Sequence, residues 1–265
     1  MRSPVLLGIA VQAIRRNALR TLLTTLGIVI GVAAVILTVA VGLGARQKIR
    51  QQIDGLGTNL VVVTPGTSGA GGVNQGAGSF NRITIADVKK LQREATTVAA
   101  ISPVVVAPTQ AIGGRGNWRT AVNGVAPEYR EIRDWEVASG TFFTSSDLAA
   151  ARSVAVIGAT IAKSLWPGED PVGQSIQLRR VPFRVIGVLE AKGQTAGGAD
   201  QDDVVLAPYT TVQTRLAGRQ FIPQILASAP SADGVAAAQE EIAAILRESH
   251  RLGEGETDDF TVRNQ

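Results

Sequence analysis

The stretch Thr21–Leu43 reads TLLTTLGIVIGVAAVILTVAVGL and contains no charged residue and no proline. A helix of this length extends roughly 35 Å, enough to cross a hydrocarbon layer about 30 Å thick. A buried helix of a soluble core and a cleaved signal peptide are the alternatives. Uncharged runs this long are rare in soluble cores, and signal peptides have apolar regions of about 7–15 residues. We therefore predict an uncleaved transmembrane helix over residues 21–43.

The segments that flank this span are charged. Residues 1–20 place apolar side chains at helical spacing between arginines, which predicts a cytoplasmic amphipathic segment, with an unstructured tail as the alternative. Residues 44–54 are polar and lack a helix breaker after Gly44, which predicts a helical stalk that ends at Gly55-Leu56-Gly57. Basic residues occur on both sides, but long domains are translocated largely regardless of nearby charge. We expect a cytoplasmic N-terminus, a single pass and the bulk of the chain outside.

Within the span, Gly27 and Gly31 form a GxxxG pattern that Ala34 extends. Small residues at this spacing let a neighbouring helix approach closely. The pattern also arises by chance in a glycine-rich chain, so two interpretations stay open. We predict a helix-packing face at Gly27, Gly31 and Ala34, whose partner is a second copy or a helix from elsewhere.

Two βαβ patterns lie far apart in the remaining sequence. The first has a strand at 59–64, a helix at 84–95 opened by a Thr84–Asp87 capping box, and a strand at 99–110 broken by Pro103 and Pro108. The second has a strand at 221–229, a helix capped by Ser231 and a strand at 259–263. Paired side by side, such units form a split ferredoxin-like sandwich. We assign this α+β subdomain to residues 55–110 and 221–265.

Residues 111–220 have a different pattern, with alternating apolar positions typical of strands. We predict a β-rich insert subdomain with one helix at Ala159–Trp166. Trp118, Trp135 and Trp166 are predicted to anchor its core.

Chemistry-bearing residues are sparse in this sequence. It has no cysteine, one histidine (His250), and a net charge of +4 that the arginines near the membrane largely explain. The glycine-rich loop at 66–79 lacks the Gly-Lys-Ser/Thr ending of a phosphate-binding loop. His250 is interpreted as a solvated or dipole-facing side chain, and Asp202-Asp203 and Asp258-Asp259 as solvated or backbone-capping carboxylates. We predict no catalytic residue, no metal site, no cofactor and no enzymatic activity of the chain itself.

Several segments, in order, resemble the MacB-type ABC-transporter permease family. The resemblance covers nearly the whole chain and lies in RRNALRTLLTTLGIVIGVAAVI, GLGTNLVVVTPG, VNGVAPEYREIRDWEVASGTFFTSSD, SVAVIGATIAKSLWPGEDPVGQSI, PFRVIGVLEAKG and LRESHRLGEGETDDFTVRNQ. It implies a MacB-like periplasmic core domain in which a porter-like βαβ part is interrupted by a β-rich insert. The chain departs from the family at Arg179-Arg180, where the family usually turns a hairpin on glycine.

The resemblance also implies partners and a place in the cell. These are the bacterial inner membrane, a separate ABC ATPase subunit, a homodimer, a periplasmic adaptor and an outer-membrane channel. The family continues into FtsX-like membrane helices beyond the point that corresponds to Gln265, so the chain is expected to be a truncated permease. Two functions remain open: the membrane-anchored periplasmic core of an exporter, or a stand-alone membrane-anchored periplasmic binding or scaffold module.

Overall fold

The computed structural model describes residues 17–54, 59–66, 83–195, 197–218 and 221–264, with the backbone alone at 45 and 47–54. The amphipathic segment predicted before residue 17, the helix end at 55–57 and the glycine-rich loop at 67–79 lie outside the described residues. The chain divides into two compact units, Met1–Gln51 and Gln52–Gln265.

Nearly all described residues of the first unit belong to one helix, α1, which runs from Ala18 to Asp54 and contains the predicted span. Its Ala18–Gly44 part is long and apolar enough to cross a membrane: an 18-residue window within it has a mean hydropathy of 2.7, and none of that window is buried. Thr24 and Thr25 each donate a hydroxyl hydrogen bond to a backbone carbonyl one turn earlier, so their polar groups are compatible with lipid. The leucines, isoleucines and valines of its Ala18–Gly44 part are all exposed among the described residues, as expected of a membrane-spanning helix and unlike the buried helix of a soluble core.

The second unit contains ten strands and six short or medium helices among its described residues. In chain order these elements are β1 (Leu60–Pro65), α2 (Ile85–Glu94), β2 (Ala100–Gly113), β3 (Gly116–Val125), α3 (Tyr129–Ile132), β4 (Val137–Gly140), α4 (Ser145–Ala149), β5 (Val154–Ile157), α5 (Ala159–Leu165), β6 (Ser175–Leu178), β7 (Val181–Leu189), β8 (Val205–Pro208), α6 (Tyr209–Thr211) running into a π-helical turn (Val212–Ala217), β9 (Gln224–Ser228), a 3₁₀ turn (Ala232–Gly234), α7 (Val235–Ser249) and β10 (Phe260–Asn264).

The two predicted βαβ units pair as expected. Their four strands lie in the order β10-β1-β9-β2, with every neighbouring pair antiparallel, and this order is that of a ferredoxin-like sandwich. The inward side chains of α2 (Val88 and Leu91) and α7 (Ile242 and Leu246) are fully buried in the same core cluster as the strand residues. The split α+β architecture predicted from periodicity is therefore confirmed.

Cap geometry bears out one of the two predicted helix starts. Thr84 and Asp87 form the predicted capping box at the start of α2. Ser231 does not cap α7: it precedes the 3₁₀ turn and its side chain makes no capping hydrogen bond. The 3₁₀ turn at Ala232–Gly234 separates Ser231 from the first residue of α7, so the Ser231 hydroxyl is not at the N-cap position of that helix.

The prediction that Pro103 and Pro108 break strand β2 was wrong. The strand runs without interruption through both prolines. At Pro103 its partner is β9, and at Pro108 its partner is β3, so each proline has a partner strand on one side only. A proline, which lacks an N–H, is tolerated in such an edge-like position. The boundary predicted between residues 110 and 111 falls inside this strand.

The insert is a closed barrel rather than an open sheet. Strands β2, β3, β8, β5 and β7 are neighbours in that order, and β6 pairs with both β7 and β2, which completes the ring. Ring closure leaves fewer unpaired strand edges.

The insert contains the helices α3, α4 and α6 in addition to α5, so the prediction of a single helix was wrong. These three helices are too short to show helical periodicity in the sequence. Trp135 and Trp166 are buried as predicted, whereas Trp118 is 38% exposed and donates its indole N–H to Asp203.

The β6–β7 hairpin turns on Arg179 and Arg180, which have positive φ angles of 49° and 66°. Two positive-φ residues define a two-residue turn that favours Asn-Gly. A side chain in this left-handed conformation costs about 1–2 kcal/mol per residue. The Arg179 guanidinium donates to the Leu216 carbonyl, but Arg180 is exposed.

We therefore predict that Arg180→Gly stabilises the folded chain by roughly 1 kcal/mol, because glycine removes the left-handed strain. Thermal unfolding of the purified full chain measures the effect. Gly173→Ala is the opposite control, since Gly173 has φ of 87° and open space around it, and alanine there should destabilise the chain. An unchanged or lower unfolding temperature for Arg180→Gly would contradict the interpretation of this turn.

Candidate functional site

The predicted packing residues lie on α1. Gly27, Gly31 and Ala34 are at helical spacings of four and three, so they share one face. A Cβ atom built at Gly27 or Gly31 would meet no heavy atom within 4 Å in the described chain. This face is therefore open to another helix, and its use as a packing face stays a prediction.

The paired carboxylates have structural partners. Asp202 is buried and accepts hydrogen bonds from the backbone N–H groups of Lys192 (2.8 Å) and Gly193 (3.0 Å), as predicted for a backbone-capping carboxylate. Asp203 accepts from Trp118, and Asp258 pairs with Arg247. Among the described residues, no group of three or more His, Cys, Asp or Glu side chains could hold a metal ion.

A clamp not predicted from the sequence joins the two βαβ halves. The carboxylate of Glu241 on α7 accepts hydrogen bonds from the backbone N–H groups and the hydroxyls of both Thr96 and Thr97, which form the turn between α2 and β2. Three of these contacts are 2.8 Å. Although partial burial raises the pKa of Glu241, the four hydrogen bonds outweigh it and lower the pKa to about 2. Glu241 and Thr96 are 145 residues apart, so no local pattern could reveal the pair.

A second polar cluster lies where α2, α7 and β10 meet. His250 is the C-cap residue of α7, which agrees with the dipole-facing alternative, but its side chain is only 7% exposed, so the solvated alternative was wrong. Its Nδ1 lies 2.7 Å from Asp259 Oδ1, and its Nε2 lies 3.5 Å from Asp87 Oδ2. Asp87 also accepts hydrogen bonds from Ser249 and Thr84. Burial raises the pKa of Asp87, but hydrogen bonds from Ser249 and Thr84, together with nearby His250, lower it below its ordinary value.

Comparisons with known proteins agree with this architecture. The profile of the MacB-like periplasmic core domain family matches residues 21–245. The chain is 35% identical over 96% of its length to a macrolide export ATP-binding/permease protein MacB of Syntrophobacter fumaroxidans, and 41% identical over 97% to that of Rhodospirillum rubrum. It covers 43% and 38% of those two relatives, so it spans about two-fifths of their length.

Solved structures show the same fold at low sequence identity. The periplasmic region of MacB from Actinobacillus actinomycetemcomitans superposes with a TM-score of 0.66 at 22% identity, over 80% of this chain and 91% of that one. The extracellular domain of the noncanonic ABC-type transporter YknZ from Gram-positive bacteria gives a TM-score of 0.61 at 20% identity, over 78% of this chain and 100% of that one.

The exposed apolar helix and the ferredoxin-like and barrel parts define a membrane-anchored protein whose bulk is periplasmic. The chain belongs to the MacB-like periplasmic core domain family.

We predict that a Gly27→Leu, Gly31→Leu double variant loses helix association in the membrane and keeps the unfolding temperature of the second unit. Leucine at these positions would hold a neighbouring helix away, whereas the second unit is compact by itself. Crosslinking in membranes measures association. Val29→Leu, Val32→Leu adds bulk on the opposite face of α1 and is the matched control. Equal crosslinking of the double glycine variant and the unmodified chain would place the packing face elsewhere.

We also predict that Glu241→Gln lowers the free energy of unfolding by about 1 kcal/mol at neutral pH, because a neutral amide cannot accept four hydrogen bonds and partial exposure limits the loss. The folded-state pKa of Glu241 lies below its ordinary value of 4.5, so its stabilisation is present above that pH and is lost as the pH falls towards 2. The difference between the variant and the unmodified chain should shrink over this window.

Urea unfolding of the full chain at a series of pH values tests this dependence. Glu240→Gln, at an exposed neighbouring position on α7, is the control and should leave stability unchanged at every pH. A Glu241→Gln difference that is absent at pH 7, or that grows on acidification, would contradict the clamp.

Proposed function

We propose that this chain is the membrane-anchored periplasmic core of an ABC-transporter permease, which works in an ATP-driven export or mechanotransmission complex with the ATPase on another chain. The observation that carries the proposal is the order of its parts: one apolar helix followed by the β-rich unit of the MacB-like family, over 96–97% of the chain. The relatives that share this order are named as macrolide export ATP-binding/permease proteins. Export of macrolides by this chain is part of the proposal.

The proposed role of this chain is mechanical rather than chemical. The 265 residues contain no Gly-Lys-Ser/Thr phosphate-binding sequence, so we propose that ATP binds outside them. The proposed location is the bacterial inner membrane, with a single pass and a cytoplasmic N-terminus. The proposed partners are a second copy of the chain, packed through Gly27, Gly31 and Ala34, a periplasmic adaptor and an outer-membrane channel.

We expect the affinity-tagged full chain, expressed in its own host and crosslinked before solubilisation, to co-purify with an ABC ATPase subunit identified by mass spectrometry. Vanadate trapping in the presence of ATP should change the crosslinking between two copies, because the ATPase state is transmitted to the permease. The chain purified without crosslinking is the control and should not hydrolyse ATP.

A second readout addresses export. Deleting the gene should increase the sensitivity of the host to a macrolide, and the unmodified chain should restore resistance. Recovery of the crosslinked chain without any ATPase, together with unchanged macrolide sensitivity, would overturn the proposal and favour a stand-alone scaffold module.

A further inference from the structure

One buried histidine connects three elements of the ferredoxin-like part. His250 ends α7, faces Asp87 at the start of α2 through Nε2, and contacts Asp259 beside the first residue of β10 through Nδ1. Its side chain is only 7% exposed. Phe260, the first residue of β10, lies edge-on to the imidazole with ring centroids 5.9 Å apart. The ring is therefore enclosed by an apolar side chain and two acidic ones.

The charges around His250 favour a positive ring. Carboxylates of Asp87 and Asp259 face its two nitrogens, and the C-terminal carbonyl groups of α7 add partial negative charge at the same place. Two nearby cations have their own acidic partners: Lys90 pairs with Glu248 at 3.1 Å and with Glu94 at 3.8 Å, and Arg247 pairs with Asp258. The other cations on or beside these elements, Lys89, Arg93, Arg251 and Arg263, are exposed to solvent. The ion pairs of Lys90 and Arg247 reduce repulsion of a positive His250.

A neutral imidazole would not satisfy this arrangement. It carries one N–H, so it can donate to one carboxylate, and the lone pair of its other nitrogen then faces the second carboxylate. An imidazolium ring carries an N–H on both nitrogens, so Nδ1 can donate to Asp259 while the positive ring faces the Asp87 carboxylate 3.5 Å from Nε2, an ion-pair contact rather than a hydrogen bond. Leaving a buried carboxylate against a lone pair is costly because little water is present to screen it.

We propose that His250 is held as an imidazolium between Asp87 and Asp259, and that its second proton acts as a pH-sensitive lock that fastens β10 and the end of α7 to α2. Among the described strands, β10 pairs with β1 alone, and Phe260 is buried in the core, so this cluster is an additional attachment of the first residues of β10. Loss of the proton with rising pH loosens that attachment. This device is independent of the proposed export function.

The composition of the chain makes the lock directly measurable. His250 is the only histidine in the sequence, and there is no cysteine, so few other groups titrate between about pH 5.5 and 8.5. Because the protonated ring meets the carboxylates of Asp87 and Asp259 in the folded state alone, the lock predicts that stability is greatest at the acidic end of this window and falls as the pH rises. Ring-¹⁵N-labelled histidine gives one pair of nitrogen signals that needs no assignment.

The experiment uses the full chain in detergent micelles. At pH 7 the ¹⁵N shifts of both ring nitrogens should be those of protonated nitrogens in the folded chain, and those of an ordinary titrating histidine in urea. The unfolding temperature should fall by several degrees from pH 5.5 to 8.5 in the unmodified chain, and His250→Gln should remove this dependence.

Two neighbouring carboxylates provide matched variants. Asp259→Asn should leave one ring nitrogen unprotonated at pH 7 and flatten the pH dependence, whereas Asp258→Asn, which removes the partner of Arg247, should keep the doubly protonated ring. A singly protonated His250 at pH 7 in the folded unmodified chain would overturn the lock, even if the variants fail to fold. The same pH dependence in the unmodified chain and His250→Gln would also overturn it.

Discussion

Strand β2 is the element on which the rest of the second unit depends. Its first five residues pair with β9 in the ferredoxin-like part, and from Val105 onward it pairs with β3 and β6 of the barrel. Because one strand provides ladder hydrogen bonds to both parts, the insert is not attached through flexible linkers. Fully buried residues of the two parts, such as Leu91 and Ile176, accordingly belong to one hydrophobic cluster. Displacement of one part must therefore disturb the other, which is the behaviour that the proposed mechanical role requires.

Periodicity and local signals predicted most of the fold. The 3.6-residue repeat of α7, the capping box at Thr84 and the uncharged run of α1 are each encoded within a few turns, so they could be recognised without tertiary information. The prolines of β2 were misleading because their effect depends on which side of the strand has a partner. That property arises from the sheet and cannot be deduced from the residues around Pro103 and Pro108.

The polar sites were harder to predict because their members are distant in sequence. Glu241 meets Thr96 and Thr97, and His250 meets Asp87, only after the two βαβ halves have paired. A lone histidine at the end of a polar helix face was reasonably interpreted as solvated or dipole-facing, and its side chain is buried only by residues of α2 and of the start of β10 that are distant in sequence or follow the helix. In contrast, the proposed packing face of Gly27, Gly31 and Ala34 is local, so the sequence could indicate it although its partner is not part of the described chain.

We propose that one membrane pass places residues 59–264 in the periplasm. The absence of native cysteine allows single cysteines at Ser3 and at exposed Ser145 to report topology directly with a membrane-impermeant maleimide. We expect Ser145→Cys to be labelled in intact spheroplasts and Ser3→Cys to be labelled only after lysis. Labelling of Ser3→Cys in intact spheroplasts, or protection of Ser145→Cys until lysis, would contradict it.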